Sequence, residues 1–215
     1  MGCTQMDLEE KKWIIVKCVE KFSEEDDEKD YNDFCRTFSK KGILNGVDIE
    51  TIRSFLYVWG RMGRVLGQDK YKGWEKRVET LISSKCSELE ELRKTDLMQI
   101  NIKQYEKKIK EHYRSFESIL GPIGAVKTMH LVCPKFFPLW DRAIAAAFKN
   151  ERSTTGKIKD FSAEDYYDFM NDIKDLKEKY GSTISRLAAK HNSCELRIVD
   201  QFAWWIAHRP LSLLH

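Results

Sequence analysis

Residues 116–148 decide the fold, and they read FESILGPIGAVKTMHLVCPKFFPLWDRAIAAAF. The stretch contains three of the four prolines and one lysine within an otherwise apolar helical pattern. Residues 121–124, GPIG, cannot continue the helix before them, because proline lacks an N–H and glycine favours turns. Helical character resumes at residues 125–132 until Cys133 and Pro134 end it. We therefore predict a helix, a tight hairpin and a second helix.

The remainder of the chain repeats apolar residues at the helical period. Asp7, with Glu10 three residues later, has the pattern of a capping box. Asp48 is placed to cap a long helix over residues 49–66. Ser162, with Asp165 three residues later, predicts a capped helix over residues 163–180 that ends at Gly181.

No alternating β-branched run favours a strand, so the pattern predicts an all-α fold. We expect a compact bundle of roughly eight to ten helices that contains one helix-hairpin-helix motif. A single domain over residues 1–215 accommodates such a bundle. The alternative is two helical lobes, about 1–100 and 101–215, with a cleft between them.

Composition limits the class of protein. At 42% hydrophobic residues the chain has ample material for a core, and its net charge of +3 indicates little about partners. Its six cysteines are scattered without paired spacing, which is typical of a reduced intracellular protein. The N-terminus has no secretory pattern and no apolar run approaches ~18 residues, so we expect a cytoplasmic protein without a membrane span.

Charge is distributed unevenly, and the basic excess surrounds the predicted hairpin. Residues 111–159 contain eight Lys or Arg and four Asp or Glu, a difference of +4. A hairpin before a helix directs unpaired N–H groups outward, where the helix dipole also favours an anion. We therefore predict that the hairpin binds the phosphate backbone of duplex DNA. The residues predicted to contact that backbone are Gly121, Ile123, Gly124, Ala125, Arg114, Lys135 and Arg142.

The order LGPIGAVKT followed by PKFFPLWD resembles the helix-hairpin-helix DNA glycosylase superfamily. The string KTMHLVCPKFFPLWD is also similar to uncharacterised bacterial and archaeal proteins with a K…P…FP-x-x-D pattern. The superfamily resemblance implies a DNA-repair enzyme in which Lys127 attacks the sugar carbon and Asp141 acts as base or charge stabiliser. A lysine nucleophile must lose its proton, which burial beside apolar residues promotes. Trp140 and Phe136 are the rings available to stack on an extruded base.

Each of these residues also has a purely structural interpretation. Lys127 can extend its amine to solvent or pair with Asp141, and Asp141 can cap the helix that follows it. Arg197 and Asp200, three residues apart, predict a surface or half-buried ion pair. The chain as a whole can equally be a non-enzymatic nucleic-acid-binding module or a helical scaffold. No histidine or cysteine spacing indicates a metal site, and no motif indicates a cofactor.

Overall fold

The computed structural model describes residues 8–25, 28–44, 46–150 and 161–214, and these residues form an all-α bundle. The predicted capping box at Asp7, and residues 151–159 of the basic region, lie outside the described residues. Ten α-helices occur in the described ranges. They are α1 (Leu8–Glu25), α2 (Lys29–Lys41), α3 (Ile49–Ser54), α4 (Gly63–Leu66), α5 (Trp74–Ser84), α6 (Cys86–Lys94), α7 (Glu106–Val132), α8 (Arg142–Asn150), α9 (Ala163–Lys190) and α10 (Glu195–His208).

Short π and 3₁₀ turns join several of these helices. A π-helical turn, Phe55–Trp59, continues α3, and 3₁₀ turns lie at Asp69–Tyr71, Leu97–Gln99, Ile102–Tyr105 and Leu211–Leu214. In the described part of the chain, no helix is both long and apolar enough to cross a membrane.

Helix α7 runs through the core. Ile109, Tyr113, Phe116 and Leu120 recur at three- and four-residue intervals in its first half, and all four are buried. Beyond Leu120 the helix is buried on nearly every face, which is typical of a central helix. It packs against α9 and α5, and α10 packs against α1, α8 and α9. The main core therefore includes side chains from both ends of the described chain.

The predicted hairpin is instead a one-residue break. Only Gly121, with φ 70° and ψ 171°, departs from helical geometry within α7, and Pro122, Ile123 and Gly124 are helical. Pro122 begins the second half of the helix, where the absence of an N–H costs nothing because first-turn amides have no intrahelical acceptor. The prediction that all four residues of GPIG form a hairpin turn was wrong, because only Gly121 leaves the helix. Proline breaks a helix in its interior but is accepted in the first turn, where Pro122 lies.

The capping predictions for Asp48 and Ser162 were confirmed. The Asp48 carboxylate accepts hydrogen bonds from Thr51 N at 3.2 Å and Thr51 Oγ1 at 2.7 Å. Ser162 and Asp165 form the reciprocal capping box at the start of α9. However, Gly181 does not end α9, which reaches Lys190 with only Tyr180 (φ −124°, ψ 21°) away from helical values. The predicted helix over residues 49–66 is also divided, because the π turn and a break at residues 60–62 separate α3 from α4.

Candidate active site

A cleft of about 530 Å³ lies between α7, α10, the π turn and the segment before α8. Its volume falls in the range of small-molecule sites, which are ~300–1,000 Å³. Lys127 and Asp141 both line it. The other lining residues are aromatic, charged or apolar: Phe22, Asp30, Tyr31, Val58, Trp59, Gly60, Arg61, Leu139, Trp140, Ile144, Arg197, Asp200, Trp204 and His208.

Lys127 reaches the cleft from the second half of α7. Its Nζ donates a hydrogen bond to the carbonyl oxygen of Gly60 at 2.8 Å and lies 5.6 Å from the centre of the Trp59 ring. Burial lowers the pKa of Lys127, an effect that Asp141 opposes and Arg61 reinforces. Desolvation disfavours an ammonium, so more of this amine is neutral at a given pH than for a surface lysine.

The π turn positions the acceptor of Lys127. Gly60 N donates to Phe55 O at 2.7 Å, which closes the wider turn, and Arg61 follows in the left-handed region with φ 52°. This geometry leaves the Gly60 carbonyl to accept from Lys127. Left-handed backbone at a non-glycine residue and single π turns both occur often at functional sites.

Asp141 has two partners. Its Oδ1 accepts from Ile144 N at 2.9 Å and so caps the start of α8, which confirms the structural interpretation of this residue. Its Oδ2 lies 2.8 Å from Nε2 of His208, and the His208 ring stacks on Trp204 with centroids 4.9 Å apart. The cap fixes the carboxylate at the cleft, while the second oxygen and His208 form a carboxylate–imidazole pair.

The turn after α7 brings Asp141 back towards Lys127. Phe136 N and Phe137 N donate to Cys133 O at 3.0 and 3.1 Å, which folds the chain at the end of the helix. Further along, Tyr166 Oη donates to Pro138 O at 2.8 Å, and Leu139 N donates to Asp200 Oδ1 at 3.0 Å. Lys127 and Asp141 influence each other electrostatically, yet their hydrogen bonds go to different groups.

The floor of the cleft contains two buried ionisable residues, Arg197 and Asp200, which are 5% and 2% exposed. The predicted ion pair between them was wrong. Arg197 instead pairs with Glu28 and lies 4.0 Å from the centre of the Tyr31 ring. One polar atom of each, Arg197 Nε and Asp200 Oδ2, has no hydrogen-bond partner among the described residues.

The residues predicted to bind the DNA backbone are not gathered at the cleft. Gly124 and Ala125 are buried, and Gly121 and Ile123 are half-buried. A Cβ at Gly124 would lie 3.2 Å from Met62 Cε, so this turn is covered by a side chain. Of the described residues that line the cleft, none is one of the three predicted cations. The three cations are Arg114, Lys135 and Arg142, and all three are exposed. Arg114 pairs with Glu164.

The two predicted stacking rings differ in position. Trp140 lines the cleft, is 3% exposed, and stacks on Tyr166 with centroids 5.4 Å apart. Phe136 is fully buried against Phe137 and Tyr105. It is therefore a core residue and not the stacking ring that was predicted.

Sequence reasoning missed the residues that come from outside the central stretch. His208 and Asp200 lie 67 and 61 residues from the groups they contact, Asp141 and Leu139, and no local spacing connects them. Among the described residues, no group of three or more His, Cys, Asp or Glu side chains is arranged to hold a metal ion. Comparison of the chain with protein-family models, with curated proteins and with solved structures found no match.

Proposed function

We propose that this protein is a base-excision DNA glycosylase of the lysine–aspartate type that acts on a nucleotide extruded into the cleft. One observation carries the proposal: the buried amine of Lys127 and the carboxylate of Asp141 line the same cleft. Each group also has a structural partner, the Gly60 carbonyl for Lys127 and the Ile144 amide for Asp141, and it is their shared position in one concave space that supports a chemical role. Functional sites are where such perturbed groups concentrate.

The chemistry that fits these groups is displacement at the anomeric carbon. The neutral Lys127 amine forms a bond to C1′ while the bond from C1′ to the base nitrogen breaks, and its electron pair leaves with the base. Asp141 is placed to stabilise positive charge that develops on the sugar as the base departs. A proton then moves from the attached nitrogen to the ring oxygen O4′, the C1′–O4′ bond breaks with its electron pair on that oxygen, and the nitrogen lone pair forms the protonated imine that borohydride reduces.

The walls of the cleft suit a nucleoside. The half-buried rings of Trp59 and Trp204 supply aromatic surface, on which bases of any sequence stack, whereas Trp140 is packed against Tyr166. Arg61 is exposed at the cleft and is the cation available there for a phosphate. Extrusion is required because a base within a duplex is out of reach of an enclosed amine.

Borohydride trapping on duplex oligonucleotides that each contain one damaged base tests the proposal. We expect the wild-type protein to form a covalent adduct with at least one lesion, and Lys127→Gln to form none. Lys174→Gln is the matched control, since Lys174 also donates from a half-buried position to a backbone carbonyl, that of Leu97 at 3.1 Å, but lies outside the cleft. Absence of an adduct with every lesion, or an adduct that persists in Lys127→Gln, overturns the lysine nucleophile.

A second candidate is a hydrolytic glycosylase in which water replaces the amine. The hydrogen bond between His208 and Asp141 favours it, because a carboxylate-oriented imidazole is a good general base. This mechanism predicts that Lys127→Gln still releases the base without a trapped adduct, whereas His208→Gln lowers release by about 10²-fold or more. The two variants therefore separate the two mechanisms.

A further inference from the structure

Asp200 is a buried acid, and only one of its two carboxyl oxygens forms a hydrogen bond within the described part of the protein. Its Oδ1 accepts from Leu139 N at 3.0 Å, and its side chain is 1% exposed. Oδ2 has no hydrogen-bond partner among the described residues, although Asp200 lines the cleft. A buried polar atom without a partner is destabilising, so an unpartnered oxygen on a residue that lines a cleft is placed to bond to a ligand atom.

The nearest basic groups do not neutralise Asp200. His130 Nδ1 lies 3.9 Å from Oδ2, but it donates to Phe137 O at 2.7 Å, while His130 Nε2 accepts from Tyr31 Oη at 2.7 Å. These two bonds place the ring proton on Nδ1. Burial, reinforced by the charge of Arg197, lowers the pKa of His130 to about 3 against the opposing effect of the Phe137 carbonyl, so the ring is neutral. Arg197 is paired with Glu28 rather than with Asp200.

Burial is the main influence on Asp200, and it raises the pKa of the carboxyl to about 8, against the opposing effects of Arg197 and the Leu139 amide. The proton of the neutral acid therefore belongs on Oδ2, since Oδ1 is the acceptor for Leu139. The titratable groups that face Asp200 come from several helices: Arg197, Glu28, Tyr31, His130, Tyr166 and Cys194.

We propose that Asp200 donates the proton of its carboxyl to an acceptor atom of a neutral nucleobase held in the cleft. This role rests on the proposed function, because it takes the ligand to be a nucleobase. Asp200 would be the group that makes the base a better leaving group. As the C1′–N bond breaks, its electron pair moves onto the base, and the base takes the Asp200 proton. Asp200 is left as a carboxylate, and Lys127 carries the positive charge on its new bond.

A proton donor restricts the substrate class. A neutral base leaves poorly as an anion and is helped by protonation, whereas a base already methylated on N7 is cationic and leaves without an acid. The donor therefore favours neutral bases, such as uracil, hypoxanthine, 8-oxoguanine or a mispaired adenine, over cationic ones. General acid catalysis typically contributes 10²–10⁴-fold, which sets the size of the expected effect.

Binding of free adenine by calorimetry tests the proton donor without requiring catalysis. We expect the wild-type dissociation constant to rise about 10-fold or more between pH 6 and pH 9, as the acid is lost, and that of Asp200→Asn to change less than about 3-fold. Asn keeps the acceptor for Leu139 but has no acidic proton. Absence of adenine binding, or equal pH dependence in the two proteins, overturns the proposal. Adenine binding with the expected pH dependence, but without excision of any lesion, supports Asp200 as the donor and instead refutes the proposed enzymatic function.

Excision at pH 7 from oligonucleotides with a neutral lesion and with 7-methylguanine supplies the second arm. Asp200→Asn is expected to slow release of the neutral base by about 10²-fold or more, with less than about 3-fold effect on 7-methylguanine. If Asp200 only positions Leu139, Asp200→Asn should slow release of both bases equally. That result would also overturn the proposal. Asp200→Leu, which removes the acceptor for Leu139, is the control for that positioning role and is expected to lower both activities.

Discussion

Substitution of Gly121 by alanine tests the break that directs the second half of α7 towards the cleft. The residue has φ 70° and ψ 171°, a region that only glycine occupies readily. Forcing alanine into it costs about 1–3 kcal/mol. The added Cβ would also lie 2.8 Å from Tyr71 Oη, but that hydroxyl ends a half-buried side chain that can shift, so we assign most of the cost to the backbone.

We expect Gly121→Ala to lower the free energy of unfolding by about 2 kcal/mol. For a chain of this length that corresponds to a fall in Tm of roughly 4–8 °C. Urea denaturation followed by circular dichroism at 222 nm measures the loss. Adding Tyr71→Phe to Gly121→Ala removes the close hydroxyl, and it should restore only a minor part of the stability.

Gly181→Ala is the matched control within a helix. Gly181 lies inside α9, and a Cβ there would meet only the Lys177 side chain, at 3.6 Å or beyond. Alanine should therefore stabilise the protein by about 0.5–1 kcal/mol, because it reduces the entropy of the unfolded chain. Equal effects of the two substitutions, or no loss of stability in Gly121→Ala, would refute the backbone geometry.

Three further predictions concern stability. Burial lowers the pKa of His112 to about 4 and the pKa of His130 to about 3, both below the unfolded value of about 6.5. The free energy of unfolding should therefore fall as the pH drops from 6.5 towards 4. Urea midpoints that stay constant across that interval would contradict this prediction. Burial instead raises the pKa of Asp200, so its contribution to stability is lost as the pH rises from about 4 to 8. Over that pH window Asp200→Asn should gain stability relative to wild type in the same assay. A loss relative to wild type would count against a buried neutral acid. Ser162→Ala removes one half of the α9 capping box and should cost about 1 kcal/mol, while Ser162→Asp should cost less than half as much; equal thermal midpoints for wild type and Ser162→Ala would show that the cap is dispensable.

Local signals in the sequence predicted the parts of the fold that depend on neighbouring residues. Asp48 and Ser162 were identifiable as helix caps because capping requires only a side chain and the next turn of backbone. Gly181 failed as a stop signal because tertiary packing of α9 outweighs the helix propensity of one glycine. Gly121 breaks its helix and Gly124 does not, and the difference is local, because Gly121 precedes Pro122, whose ring disfavours helical backbone at the residue before it.

The candidate site was predictable in its first two residues and not in the others. Lys127 and Asp141 were assigned through the resemblance of one stretch to a known motif, and they line one cleft. His208 and Asp200 reach that cleft from α10, and the Gly60 carbonyl reaches it from the π turn. Contacts across 61 to 67 residues depend on how helices pack, which hydrophobic periodicity alone does not determine.

The pKa of the Lys127 amine, measured by NMR titration of protein with isotopically labelled lysines, tests the central claim most directly. Lys127→Arg assigns the resonance by its loss. We predict that Lys127 titrates below the surface lysines, and that Asp141→Asn lowers its pKa further, because the Asp141 charge favours the ammonium. A Lys127 amine that titrates with the surface lysines and ignores Asp141→Asn would contradict a desolvated amine beside that carboxylate.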